Sequence, residues 1–307
     1  MSVQSYRRPL NRTDLAMDFV KRVIGEEDKK RANIIATRIM NEELVLGKLE
    51  DKSSLNSNDY RDAAYYNEED RETLREQIVS ELIYLERLDD DEKIKLGFGG
   101  ARPKEVKRDK TALIITGPPA SGKSKVASVL ADQYGAYLLD SDYAKRKFPE
   151  YNDRKGGASY VHEESDTLIF GEDYGVFEFC VFEGANIVIP AVGKSENSLD
   201  RVISKIKLAD YTIHLVNVCL DRYDCLIRAV NRFESTGRYV PLSYIFDEVS
   251  NEPERIYFIT KRKYKKKKGI VSTFAQLSND VPKGKNPYII EADKESPVWT
   301  VYQEKER

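Results

Sequence analysis

Apolar positions in the first 95 residues recur at helical spacing. Leu15, Phe19, Val20 and Val23 form a first stripe, with Asn11 or Thr13 placed to cap it. Residues 31–49 carry a second stripe of Ile34, Ile35, Ile39, Leu44 and Leu46, and residues 68–88 a third of Leu74, Ile78, Leu82 and Leu85. Residues 51–67 are polar and read as a loop. Residues 96–110 are rich in Gly, Pro and charge, the composition of a connection. The pattern predicts a helical region over 1–95, a linker over 96–110 and a second domain over 111–307.

From residue 111 the period changes. Short β-branched or apolar runs at 111–116, 136–139, 186–190 and 211–218 predict strands. Helical spacing separates them: 123–134 with Val126, Val129 and Leu130; 163–183, weakened by Gly171 and Gly175 and ended by Gly184; and 197–208 with Leu199, Val202, Ile203 and Ile206. A helix over 221–234 and another through Ile245 and Val249 follow, and 286–291 with 298–302 close the chain as a terminal strand or hairpin. Strands alternating with helices make a doubly wound α/β fold, a parallel sheet with helices on both faces. Ligands of such sheets bind beyond the carboxyl ends of the strands.

Composition narrows the classes. Hydrophobic residues make up 40% of the 307, enough for a sizeable core, and a net charge of −2 argues against a general polyanion binder. Cys180, Cys219 and Cys225 have no metal-ligand spacing and read as buried free thiols in a reducing compartment. The first residues lack the apolar run of a signal peptide and no stretch has the length of a membrane span, so the cytoplasm is the expected location. Export by a route that leaves no sequence mark is compatible with this. Residues 261–268 hold seven basic residues in eight, read as a solvated basic loop beside an anionic substrate site in preference to a nucleic-acid contact.

The strongest motif is Gly117-Pro118-Pro119-Ala120-Ser121-Gly122-Lys123-Ser124. Two glycines four residues apart, then Lys and Ser, between a strand and a helix, form a phosphate loop. The glycines let successive N–H groups turn toward phosphate oxygens, and the helix adds its positive end. Lys123 reaches the β- and γ-phosphates of ATP, and the Ser124 hydroxyl holds Mg²⁺. With this loop the fold class becomes a P-loop kinase-type sheet plus an N-terminal helical region.

Two acids, Asp140 and Asp142, end the second predicted strand, Asp142 nineteen residues after Lys123. A carboxylate there can take the proton of a substrate hydroxyl attacking the γ-phosphate. One or both acids could instead cap the following helix. Arg228 and Arg232 lie one helical turn apart and Arg238 follows a glycine beyond, an arrangement suited to a lid that neutralises charge on a transferring phosphoryl group. His162 is a candidate for the substrate side.

Taken in order, these segments resemble the zeta toxin family of small-molecule kinases, over roughly residues 110–260. The resemblance rests on the phosphate loop, on Leu-Leu-Asp-Ser-Asp-Tyr, Val-His-Glu-Glu-Ser and Gly-Ala-Asn-Ile-Val-Ile-Pro, and on Asn-Arg-Phe-Glu-Ser-Thr-Gly-Arg-Tyr-Val-Pro. It implies Asp142 as general base, Lys123 at the phosphates, Arg232 and Arg238 as the arginines that clamp ATP, and His162 at the substrate. Bacterial zeta toxins phosphorylate a sugar hydroxyl of UDP-N-acetylglucosamine and are restrained by an antitoxin. One departure stands out: where the family ends its third strand with Glu-Gly-Thr, this chain has Ile189-Pro190-Ala191-Val192-Gly193. An alternative alignment through Phe182-Glu183-Gly184-Ala185 restores a Glu but breaks a predicted helix. The proline ending is similar to that of plant-pathogen effectors that phosphorylate NAD on its adenosine ribose.

The sequence thus points to an ATP- and Mg²⁺-dependent kinase acting on a hydroxyl of a nucleotide-containing small molecule. A polynucleotide 5′-hydroxyl kinase and a non-catalytic nucleotide-gated module are the alternatives. Arg228 and Asp140 join His162 as expected substrate contacts. An antitoxin is the expected partner, in trans or in cis as residues 1–95.

Overall fold

The computed structural model of the chain describes residues 10–46, 52–153, 156–172, 175–266, 269–282 and 284–303. The helices that precede the sheet are α1 (Thr13–Phe19, prolonged by a wider turn Val20–Ile24), α2 (Lys29–Leu46) and α3 (Glu68–Tyr84). Then come β1 (Thr111–Thr116), α4 (Lys123–Gln133), β2 (Tyr137–Leu138), α5 (Ser141–Lys145), α6 (Glu150–Asp153) and α7 (Gly157–Tyr160). They are followed by α8 (His162–Phe170), α9 (Val176–Glu183), β3 (Ile187–Ala191), α10 (Glu196–Leu208), β4 (Thr212–Cys219) and α11 (Arg222–Thr236). The chain ends with α12 (Glu252–Lys266), β5 (Thr273–Ser278) and β6 (Tyr288–Ala292).

The six strands form one sheet in the order β2-β3-β1-β4-β5-β6. The first five run parallel, and β6 pairs antiparallel with β5. β1 is central and buried on both faces, which is why its sequence is a continuous apolar run. The chain moves from β1 outward to β2, back to β3, then across to β4. The carboxyl end of β1, where the phosphate loop begins, is therefore the point at which the strand order reverses.

Pro190 sits inside this sheet without breaking it. Tyr137 and Leu139 donate to the carbonyls of Asn186 and Val188, so the alternate residues of β3 point their backbone groups toward β2. Pro190 is next in that series, and the pairing of β2 ends at Val188, so no acceptor lies opposite the N–H that proline lacks.

Residues 10–95 do not pack as one unit. α3 belongs to the main core: Leu74, Ile78, Leu82 and Ile83 are buried in the same cluster as β1 and β3. Asn67 caps it by accepting the Asp70 N–H at 2.9 Å. Its Arg71 is fully buried, bonded to Glu150 at 2.7 Å and to both oxygens of Glu164 at 2.6 and 2.8 Å. Burial alone would raise the Glu164 pKa, but Arg71 holds it below the ordinary value. By contrast, α1 and α2 form a separate cluster with Leu226, Val230 and Phe233 of α11. Ala32, Ile35, Ala36 and Ile39 face that cluster, while Ile34 and Leu44 of the predicted stripe are exposed. Leu49, the last position of that stretch, lies outside the described residues.

Four other expectations change. The helix predicted over 163–183 is two, because Gly171 is extended (ψ 151°) and ends α8. The basic run is the last part of α12 and not a loop, with Lys267 and Lys268 outside the described residues. α12 leads back to the amino end of β5, so the run lies at the sheet edge opposite the phosphate loop. Its lysines are paired with acids: Lys263 with Asp200, and Lys265 with Asp293 at 3.0 Å. β5 was not predicted, because Thr273, Gln276 and Ser278 interrupt its apolar signal. These polar residues are nonetheless buried, Thr273 against His214 at 2.8 Å and Gln276 against Glu254 at 3.0 Å. Residues 297–300 form a 3-10 turn, and only β6 of the predicted terminal pair is a strand.

Candidate active site

The phosphate loop is tightly built. A Cβ on Gly117 would lie 2.6 Å from the Val218 carbonyl oxygen, and one on Gly122, at φ +90°, 2.1 Å from Asn279 Nδ2. Asn279, in the turn after β5, donates to the Ser121 carbonyl at 2.6 Å and so fixes the loop from outside. The Ser121 hydroxyl is buried without a hydrogen-bond partner among the described residues. Lys123 makes one long contact, 3.4 Å to the Pro118 carbonyl. Burial lowers its pKa to about 8, Arg238 and Arg232 push the same way, and Asp140 opposes them. A curled loop that admits no side chain at its glycines, an unpartnered hydroxyl and a cation lacking a counter-ion fit a nucleotide phosphate. Ser124 is exposed on the first turn of α4. Among the described residues no group of three or more acids, His or Cys forms a metal cage.

The two acids after β2 divide the work that the sequence left open. Asp140 caps α5, its Oδ1 accepting the Asp142 N–H at 3.0 Å. Burial raises its pKa against the pull of Arg238, Lys145, Arg146 and Lys123. Because Asp140 caps, the Asp142 carboxylate is released to face the site. It is bonded to Lys145 Nζ at 3.1 Å and to Arg238 Nη2. Lys145 is itself desolvated, which lowers its pKa.

The three arginines separate. Arg238 reaches Asp142, and Arg232, which acts with it on Lys123, has a buried Nε without a partner among the described residues and a pKa lowered by burial. Arg228 instead donates to the carbonyls of Asn279 and Val281 at 2.9 and 3.3 Å. It thereby braces the turn that holds the phosphate loop, which differs from the expected substrate contact. His162 opens α8, is mostly exposed and lies 3.9 Å from Asp166. Partial desolvation lowers its pKa, and the charge of nearby Lys145 adds to this.

Sequence reasoning missed Lys145, Arg146 and Asn279. The first two had a signal: they stand three and four residues after Asp142, one helical turn along. Asn279 had none. The alternative alignment through Glu183 is also resolved. Glu183 ends α9 before β3 begins, 3.1 Å from Arg108, at the edge of the sheet away from the phosphate loop.

Comparison with known proteins identifies the family. The Zeta toxin family model matches residues 100–278, more than half of the chain. The chain belongs to the Zeta toxin family. The zeta toxin match runs from the connection that precedes β1 to the end of β5 and leaves out α1–α3. Among solved structures, this zeta toxin chain is similar to one from the PezAT chromosomal toxin–antitoxin system of Streptococcus pneumoniae. Identity is 11% over 77% of this chain and 85% of that one, with a TM-score of 0.55. A chain of the AvrRxo1-ORF1:ORF2 complex with ATP aligns at 17% identity over 72% and 65%, TM-score 0.42. A gluconokinase from Sinorhizobium meliloti aligns at 14% over 57% and 86%, TM-score 0.34. At these identities the likeness is one of fold. No curated protein sequence matches the chain.

Proposed function

We propose that this zeta toxin chain is an ATP- and Mg²⁺-dependent phosphotransferase that acts on a hydroxyl group of a nucleotide-containing small molecule, of the UDP-N-acetylglucosamine or NAD kind. The observation that carries the reading is the Asp142 carboxylate. It is left free of the capping that Asp140 performs, and it is bonded to Lys145 and to Arg238, whose charge also acts on Lys123 of the phosphate loop. ATP would lie along residues 117–124, with Lys123 at its phosphates and Ser124 holding Mg²⁺. Bound Mg²⁺ would neutralise phosphate charge during transfer. Asp142 takes the proton of the acceptor hydroxyl. Arg238 is bonded to that carboxylate, and a transferring phosphate would compete for Arg238 and leave Asp142 to act on the hydroxyl. Arg232, already desolvated, completes the cationic surround. His162 lines the acceptor side.

No helix among the described residues is long and apolar enough to cross a membrane, and we place the reaction in the cytoplasm. A separate antitoxin is the expected partner. Within residues 1–95, the part suited to restrain the lid from inside the chain is the α1–α2 pair. Arg38 donates to the last carbonyls of α11, Phe233 at 2.9 Å and Glu234 at 3.1 Å, and Tyr239, next to Arg238, donates to Glu43.

The test is transfer of label from γ-labelled ATP to UDP-N-acetylglucosamine, NAD or a 5′-hydroxyl oligonucleotide, with Lys123→Ala as the blank. Label on either nucleotide supports the reading. Label on the oligonucleotide makes the protein a polynucleotide kinase. Binding of ATP with transfer to none of the three leaves a nucleotide-gated binding module.

A further inference from the structure

One turn past Asp142, Arg146 closes α5 with its side chain 2% exposed. Its Nε, Nη1 and Nη2 are all buried without a hydrogen-bond partner among the described residues. Its nearest charges come from a turn outside the zeta toxin match. Asp91 Oδ2 lies 3.7 Å from Nη1 and Glu92 Oε1 3.0 Å from Nη2, distances of ion pairing without the alignment of hydrogen bonds. Both carboxylates are 37% exposed, so they approach the arginine from the solvent side. Glu92 is also 3.9 Å from Arg238 Nη1. Arg232, with its own buried and unpartnered Nε, faces the same acids. The turn is a single one of 3-10 helix, Asp91–Lys93, capped by Asp90 and pinned by the buried Ile94.

A guanidinium carries five donors in a planar fork that matches a phosphate or carboxylate edge-on. A buried one with every nitrogen unpaired is a poor resting arrangement unless something else is to fill it. We infer that Arg146 and Arg232 form a subsite for a phosphate-type oxyanion, and that Asp91 and Glu92 cover it as a displaceable internal counter-ion. In the resting chain the two acids offset the repulsion among Arg146, Arg232 and Arg238. An incoming phosphate supplies the aligned acceptors they lack, and the acidic turn swings out. The subsite deepens the proposed phosphotransfer reading and rests on it for the source of the phosphate, which is either the nucleotide tail or a phosphate of the acceptor.

The experiment titrates inorganic phosphate into the full chain by calorimetry, comparing the unaltered protein, Asp91→Asn/Glu92→Gln and Arg146→Lys. The share of phosphate held by the phosphate loop is common to all three. The double variant should bind about ten-fold tighter and Arg146→Lys about ten-fold weaker, since lysine cannot reproduce the two-pronged contact. The double variant alters half-exposed side chains, so it stays informative if Arg146→Lys lowers the melting temperature. Repeating the titration with the protein saturated by a non-hydrolysable ATP analogue separates the sources. Loss of the Arg146-dependent site assigns it to the nucleotide tail, and its persistence to the acceptor. Equal phosphate affinity in all three proteins overturns the inference. Failure of the unaltered protein to bind the ATP analogue, with the variant pattern intact, overturns the kinase reading and leaves the subsite standing.

Discussion

Lys123 gives the sharpest quantitative prediction. Its ammonium is desolvated and shares the site with Arg232 and Arg238, so its pKa falls from 10.5 to about 8. A bound nucleotide brings negative phosphates to the same nitrogen and returns the pKa to its ordinary value or above. The sign follows. Below pH 8 the lysine is already charged and binding takes up no proton. Above pH 8 each binding event must protonate the amine, so affinity falls as pH rises. With a free pKa about 8 and a bound pKa near 10.5, the dissociation constant for ADP should be about ten-fold higher at pH 9 than at pH 7, roughly 1.4 kcal/mol. Calorimetry at pH 9 in two buffers of different ionisation enthalpy should report uptake of nearly one proton. Lys123→Met should bind weakly, and the pH dependence should vanish with it. A dissociation constant that stays flat between pH 7 and 9, with no proton uptake, refutes the argument.

Three further outcomes follow from the contacts. Asp142→Asn should keep ADP affinity and lower acceptor phosphorylation by about 10²–10⁴-fold. Loss of nucleotide binding instead would mean that the carboxylate positions the loop. Arg71→Met should lower unfolding stability by about 3–5 kcal/mol, because it takes the guanidinium from the fully buried Glu150 and leaves Arg75 as the cation on Glu164. Denaturant titration reads this directly, and a change under 1 kcal/mol would refute the reasoning. Arg38→Ala removes two charge-assisted bonds to the end of α11, each worth about 1.5–3 kcal/mol. If α1–α2 restrains the lid, turnover should rise several-fold, and unchanged turnover would make the helix pair a structural support only. Deleting all of residues 1–95 cannot serve as this test, since it strips Leu74, Ile78, Leu82 and Ile83 from the core of the sheet.

The legible parts of this chain were those whose signal is local. β1 and β4 are apolar runs buried on both faces, and α10 and α11 carry stripes at helical spacing, so their periods announce them. The phosphate loop is legible because the backbone it requires excludes every residue but glycine at two positions. β5 was hidden because its polar side chains are satisfied by His214 and Glu254, residues distant in the chain. The basic run misled for a related reason. Seven cations in sequence look like a surface for anions, yet α12 places Lys261, Lys263 and Lys265 beside Glu291, Asp200 and Asp293.

By itself, the sequence determined the fold class, the phosphate loop and the set of acids and arginines from which a phosphotransfer site can be built. These follow from short-range rules, the period of burial and the spacing of a motif. Only the tertiary structure decided which contacts each member of a pair makes. Asp140 caps α5 and thereby releases Asp142. Arg228 braces the Asn279 turn while Arg232 and Arg238 enter the site. α3 proves to be core while α1 and α2 rest on α11. Each of these outcomes depends on which distant group satisfies a charge or a backbone donor, and that is settled by contacts across the fold.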